Sequence, residues 1–191
     1  KNFVAPPFRM MYEAMQSGED VDPLPGYVPP RESPESNAAR AADYPLNIIS
    51  PKSHGFLNSG YANEPHKIKG QGEQFVMLSP KDAEARSIRE GDPVRVFNDR
   101  GACLAAAIVT DDVMPGVVQL PTGTWYDPQA GSEEHPLCVH GNPNVLTRDI
   151  GTSRLAQGCC GQVTVVECEK YEGALPPIRA LTICLAVESP S

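Results

Sequence analysis

The chain has 191 residues, a formal net charge of -8 and an apolar share of 40%, which suits one core with extensions. The charge excludes a nucleic-acid or anionic-membrane surface, because long-range attraction to phosphate needs a surplus of Lys and Arg; any anion bound here must be gripped locally. With 20 prolines and 16 glycines, turns outnumber long helices and the pattern is that of a mainly β protein.

Residues 1 to 43 carry Pro6, Pro7, Pro23, Pro25, Pro29, Pro30 and Pro34 among Glu, Ser and Asp. This Pro-rich extension buries little and reads as a strap or linker from a preceding domain. Phe8 to Met15 suits a helical turn or two, and the run PLPGYVPPRESPES should be extended. From Tyr44 to Glu172 the composition is that of a folded unit. YPLNIIS is a strand ending at Ser50-Pro51, and FVMLS at 75 to 79 is a second. Ser79 then looks like an N-cap with Pro80 at the first helical position and Asp82 in the first turn, so PKDAEARSI predicts a short helix stopped near Gly91.

PVRVFN at 93 to 98 alternates as a half-buried strand, reverses at Asp99-Arg100 into ACLAAAIVT, and is followed by VVQL at 117 to 120 after the turn Met114-Pro115-Gly116. GQVTVVECEKY at 161 to 171 is the last strand, and five or six short strands with one or two short helices predict a compact barrel. The tail, 173 to 191, has an apolar stretch with no evident partner. No run is long enough to span a bilayer and no cleavable signal stands at the N-terminus. A chain that opens mid-sequence at Lys1 reads as a fragment or processed form, with cytoplasm and periplasm both open.

The six cysteines form no C-x-x-C pair, which argues against zinc or iron–sulfur; Cys103 and Cys168 read as small strand hydrophobes. No Ser-His-Asp arrangement, paired catalytic carboxylates or GxxxxGK[ST] loop appears.

The chemistry gathers in polar loops. In Asp149-Ile150-Gly151-Thr152-Ser153-Arg154-Leu155-Ala156-Gln157-Gly158, hydroxyls follow a glycine and precede a segment able to make a helical turn, whose free N–H groups suit a phosphate or a ring oxygen. Gly151 permits close approach, Arg154 adds a charge-assisted contact, and Thr152 or Ser153 alternatively does no more than cap the turn. Asn142-Pro143-Asn144-Val145-Leu146-Thr147 is a turn and then a short extended piece, its amides suited to an amide-like base edge or to an Asx-turn. Ser50, Lys52 and His54, with Asn58 and Ser59, lie where a strand ends, a common place for ligand loops. Asn98 and Arg100 flank a hairpin turn, and Trp125-Tyr126 reads as packing against another domain or as cover for the edge of a bound ligand.

Read in order, NPNVLTRDIGTSRLAQG, the SPKSHGFLNSGYAN loop, the NDRG turn and the GTWYDP corner resemble the C-terminal cofactor-binding domain of the molybdopterin oxidoreductases of the dimethyl sulfoxide reductase family, over residues 44 to 172. That resemblance implies a six-stranded double-psi β-barrel and molybdopterin guanine dinucleotide as cofactor. It implies contacts to the dinucleotide from Asn142, Asn144 and Thr147 and from Gly151, Thr152, Ser153 and Arg154, with Asn98 and Arg100 near the nucleotide end and Ser50, Lys52, His54, Asn58 and Ser59 toward phosphate or pterin.

It further implies a molybdenum or tungsten ion held by the cofactor and by upstream domains, which are the expected partners, so the chain alone should be catalytically silent. SPKSHGFLNS departs from the arginine-rich loop common in sulfoxide-reductase-type relatives. A stand-alone barrel serving protein interaction is the alternative. An aspartate-decarboxylase-type enzyme ranks last, because its Gly-Ser cleavage pair is absent from Asn58-Ser59-Gly60.

Overall fold

The computed structural model describes residues 27, 29–62, 64–71, 74–131, 134–150 and 163–180. The helical turn expected at Phe8 to Met15 and the GTSRLAQG stretch lie outside them. Every alternating apolar run of the sequence becomes a strand. Among the described residues the order is α1 (Ala38–Asp43), β1 (Leu46–Ile49), α2 (Pro65–Gln71), β2 (Phe75–Leu78), α3 (Pro80–Ala85), β3 (Pro93–Asn98), β4 (Gly101–Val109), β5 (Val117–Gln119), β6 (Leu137–Cys138), a 3-10 turn (Pro143–Leu146) and β7 (Val165–Lys170).

Six strands form a ring in the order β2-β5-β1-β7-β3-β4, closed by a second pairing of β4 with β2. Closure leaves no long free edge. β6 adds two residues beside the start of β4, Ala102 opposite Leu137 and Cys103 opposite Cys138. Within the ring, two parallel pairs, β1 with β5 and β2 with β4, sit among antiparallel ones, giving the interlocked halves of a double-psi barrel. Inward positions fill the ring with Leu46, Ile48, Val76, Leu78, Val94, Val96, Val118, Leu120 and Val166. Each such side chain contributes about 1.5–3 kcal/mol by leaving water. Cys103, Cys138 and Cys168 are buried free thiols in this core; burial pushes the Cys103 and Cys168 thiols well up from their ordinary value.

α3 begins as its sequence dictates, Ser79 accepting the Asp82 N–H at 3.1 Å with Pro80 at the first helical position. It ends three residues before the expected Ile88. Ser87 turns left-handed at φ 55, and the Ile88 and Ser87 N–H groups donate back to Ala83 and Glu84, a helix stop that normally announces itself by glycine. Arg86 reaches Glu167 at 2.5 Å and holds the helix to β7.

Strand directions place the long connections. β1 and β3 both run antiparallel to β7, β5 follows β1 and β2 opposes β5. The segments after β1, β3 and β5 and the segment before β7 therefore leave from one end of the barrel. The opposite end receives the connections from β2 to β3 and from β4 to β5, the entry to β1 and the exit from β7.

Candidate functional site

At that end the loops are joined by hydrogen bonds. Ser50 is buried and donates to the Leu120 carbonyl at 2.8 Å, and Thr122 N–H donates to Pro51 at 2.9 Å, so the loop after β1 runs beside the segment after β5. Gly123, at φ 126, comes so close to it that a Cβ would lie 2.8 Å from the Asn58 carbonyl oxygen. Trp125 Nε1 donates to the Ser59 carbonyl at 3.0 Å. Lys52, His54, Asn58 and Ser59 themselves are exposed, and Asn58 and Tyr61 hold positive φ of 54 and 67. For non-glycine residues that geometry is uncommon and persists where surrounding packing fixes it.

Asn142 carries the site to its second half. Its Nδ2 donates to the Thr124 carbonyl at 2.9 Å and its Oδ1 accepts the Asn144 N–H at 2.9 Å. The expected turn-then-extended piece is instead a single 3-10 turn, because Pro143 follows the capping Asn142 and fixes φ at its first position. This presents Asn144 outward, exposed, with Thr147 half-buried and donating to the Asn144 carbonyl at 3.1 Å. The start of the segment is fixed by Gly141, at φ 73, whose carbonyl accepts from Gln74 at 3.1 Å.

Asn98 and Arg100 turn inward beneath this segment. Buried Asn98 donates through Nδ2 to Leu146 at 2.8 Å and Val165 at 3.2 Å, and accepts the Arg100 N–H at 3.0 Å. Arg100 Nε also donates to Leu146, at 2.9 Å, and its two terminal nitrogens reach Glu32 at 2.9 and 2.8 Å. The NDRG hairpin thus supports the loop that presents Asn144. Gly151, Thr152, Ser153 and Arg154 lie outside the described residues.

Glu32 was not among the residues the sequence singled out. It sits in the stretch read as a strap or linker, yet it is 3% exposed and accepts from Arg100 and, at 2.8 Å, from Thr164 Oγ1. Arg40 and Arg148 approach the same carboxylate at 3.3 and 3.5 Å, and Arg40 also pairs with Asp99 at 2.5 Å. Burial raises the Glu32 pKa, but the hydrogen bonds of Arg100 and Thr164 and the charges of Arg100 and Arg40 outweigh it and leave it below its ordinary value. Three arginines against two carboxylates leave one net positive charge here, in a chain of net charge -8. The arginines of RESPESNAAR and LTRD were the visible signal, but nothing in their spacing joins positions 32, 40, 100 and 148.

The tail has a partner after all. Asp127, buried, accepts the backbone N–H groups of Arg179 and Ala180, and Leu175, Pro176 and Ile178 line a cavity of about 310 Å³ together with Gln74, Leu104 and His140. Two buried polar atoms at this end, Thr124 Oγ1 and His140 Nδ1, have no hydrogen-bond partner among the described residues. Desolvation pulls His140 below its ordinary pKa, against the pull of a hydrogen bond to the Trp125 backbone and the Asp127 charge.

A closed barrel with its long polar connections gathered at one end defines a ligand-binding double-psi domain. Residues 46–165 match the family model for the molydopterin dinucleotide binding domain, and the chain belongs to that family. It is 55% identical over 139 residues to trimethylamine-N-oxide reductase 1 of Escherichia coli O6:H1, covering 71% of this chain and 16% of that protein. It is 43% identical over 157 residues to the dimethyl sulfoxide/trimethylamine N-oxide reductase of Cereibacter sphaeroides, covering 80% and 19%. The chain therefore spans less than a fifth of the length of these relatives. Among solved structures, acetylene hydratase from Pelobacter acetylenicus shares the fold at a TM-score of 0.63 and 17% identity, over 83% of this chain and 22% of that one.

Proposed function

We propose that the chain holds and orients molybdopterin guanine dinucleotide for a larger molybdenum or tungsten oxidoreductase acting on N-oxides or S-oxides, as the names of its relatives suggest. The observation that carries this reading is the gathering of the loops after β1, β3 and β5 and before β7 at one barrel end, within the stretch the family model covers.

The residues present there fit such a ligand. Lys52, His54, Asn58, Ser59 and Asn144 are exposed on loops whose backbones are already bonded to a rigid scaffold, and Arg148 adds a partly exposed cation. A diphosphate needs charge-assisted donors and a purine edge needs an amide. Lys52, Arg148 and the arginine of the DIGTSR motif, Arg154, supply the first; Asn144 supplies the second. Asn142 and Gly141 set the angle at which Asn144 is presented. The barrel excludes water from beneath these loops, and Trp125 keeps the first loop against the second. When bound, the cofactor supplies the redox chemistry, and this chain supplies binding and orientation.

Titration of the chain with guanosine diphosphate, cytidine diphosphate and the isolated molybdopterin guanine dinucleotide tests the reading. Saturable binding that prefers guanine and weakens in Asn144→Ala and Arg154→Ala is expected. Absence of binding in the protein carrying its upstream domains overturns it.

A further inference from the structure

We propose that Glu32 is a positioning residue for the Asn144–Arg148 stretch: one buried carboxylate that joins the Pro-rich strap to Arg148 and, through Arg100 and Thr164, to the Leu146 carbonyl and the entry of β7. This rests on the cofactor reading above and assigns a part to residues outside the matched stretch.

The geometry is that of a hub. Thr164 Oγ1 lies 2.8 Å from Glu32 Oε2, and Arg148 Nε lies 3.5 Å from Oε1, so the residues that open and close the motif-bearing segment meet the same side chain. Arg100 binds both carboxylate oxygens in a two-pronged contact and reaches Thr164 Oγ1 at 2.5 Å and the Leu146 carbonyl at 2.9 Å. Thr164 also stands 3.2 Å from that carbonyl. Glu32, Arg100, Thr164 and Leu146 therefore form one network spanning the strap, the β3–β4 turn, the 3-10 turn and the residue before β7. A carboxylate is the one side chain that accepts from a planar guanidinium on two oxygens and still has lone pairs for a hydroxyl and a second cation.

Only a fixed loop keeps Arg148 and Asn144 in place for a ligand, because a flexible cation loses orientational freedom again on each binding event. Glu32 is itself kept in place by its neighbours: Ser33 and Ser36 lie 3.0 Å apart with Ser36 N–H bonding back to Ser33 at 3.2 Å, and the Asn37 N–H donates to Ser33 at 2.9 Å before α1 begins. The strap is thus folded locally around the carboxylate. It is part of the site's support.

The test exploits opposite signs. Glu32→Gln removes a negative charge beside three arginines, so a merely electrostatic role predicts tighter binding of an anion. Positioning predicts the reverse, an affinity for guanosine diphosphate lower by about tenfold, the loss of one well-aligned charge-assisted contact. Hydrogen exchange in the ligand-free chain gives a second readout. The amides of Arg148, Thr164 and Val165 should exchange faster in Glu32→Gln than in the parent chain.

A control at Glu35, which bonds only exposed Tyr27 among the described residues, should move neither readout in Glu35→Gln. Unchanged or tighter binding together with unchanged exchange overturns the proposal. Should the protein carrying its upstream domains bind no probe, the cofactor reading fails by itself, and the exchange rates still decide whether Glu32 holds Arg148 and Thr164 in place.

Discussion

Gly141→Ala is the sharpest test of how the barrel aims the Asn142–Thr147 segment. At φ 73 a non-glycine residue costs roughly 1–2 kcal/mol in backbone strain. Here the new Cβ would also lie 2.8 Å from the Leu104 carbonyl oxygen and against the Gln74 side chain, and strand β4 cannot yield without disturbing its pairing with β3. Overpacking of this kind adds about 1–3 kcal/mol, giving a loss of roughly 2–5 kcal/mol. Gly116 is the internal control: φ is 84 and nothing lies within 4 Å of its Cβ position, so Gly116→Ala should lose only the strain. Urea denaturation of both variants measures the difference. Equal losses would refute the claim that close approach, and not backbone conformation alone, requires glycine at 141. The same variant should bind guanosine diphosphate more weakly, since Asn142 and Asn144 follow directly.

Further outcomes follow from other contacts. Asn98→Ala leaves the Leu146 and Val165 carbonyls short of a buried donor, and thermal or urea melts should show a loss of about 2–3 kcal/mol. Ser87→Gly should stabilise by about 0.5–1 kcal/mol, because glycine takes φ 55 without strain; a loss would mean the serine side chain matters. His140 is held neutral, its folded pKa below the unfolded 6.5, so stability should decline as pH falls from 7 through that range, where only the unfolded chain gains the proton. His140→Gln should flatten the decline. Glu32 has a profile of the same sign in a lower window: its lowered pKa contributes stability above about 4.5 that is lost in stronger acid, and Glu32→Gln should remove that acid-range slope in a pH series of melts.

The barrel was legible because its strands are short alternating runs, each closed by proline, glycine or asparagine: PLNII, FVML, PVRVFN and VVQ all appear where the pattern puts them. β6 was invisible, since two residues carry no period, and it exists only because the start of β4 offers free backbone groups. α1 and α2, at AARAAD and PHKIKGQ, lack an apolar stripe, so the first falls within the stretch read as strap or linker and the second carries no helical signal. The polar loops were legible as a set, but not the division of labour within them. Lys52, His54 and Asn144 face outward, whereas Asn98, Ser50 and most of Arg100 are consumed by the scaffold. Residue type cannot distinguish a ligand's asparagine from one that bonds two carbonyls, because both need the same amide. Glu32 was missed for a related reason: a carboxylate in a Pro-rich run looks solvated until three distant arginines converge on it.

Asp127 separates local from global stability. Its carboxylate accepts from two backbone N–H groups at Arg179 and Ala180 and pairs with the Arg179 side chain at 3.4 Å, while its own N–H faces Cys138 Sγ at 3.4 Å. Asp127→Ala orphans the two amides, a cost of about 1–3 kcal/mol each if they stayed buried. They need not stay: Leu175 and Ile178 are 63% and 37% exposed, so the tail gives up little apolar contact by leaving and then recovers water as its partner. The barrel core does not include the tail. The variant should therefore melt within about 1 kcal/mol of the parent by a core probe, while proteolysis after Arg179 accelerates by an order of magnitude or more, since about 1.4 kcal/mol of local opening energy is tenfold in population. If instead the whole domain loses several kcal/mol with no selective cleavage at the tail, Asp127 supports the Trp125–Cys138 corner and not the tail.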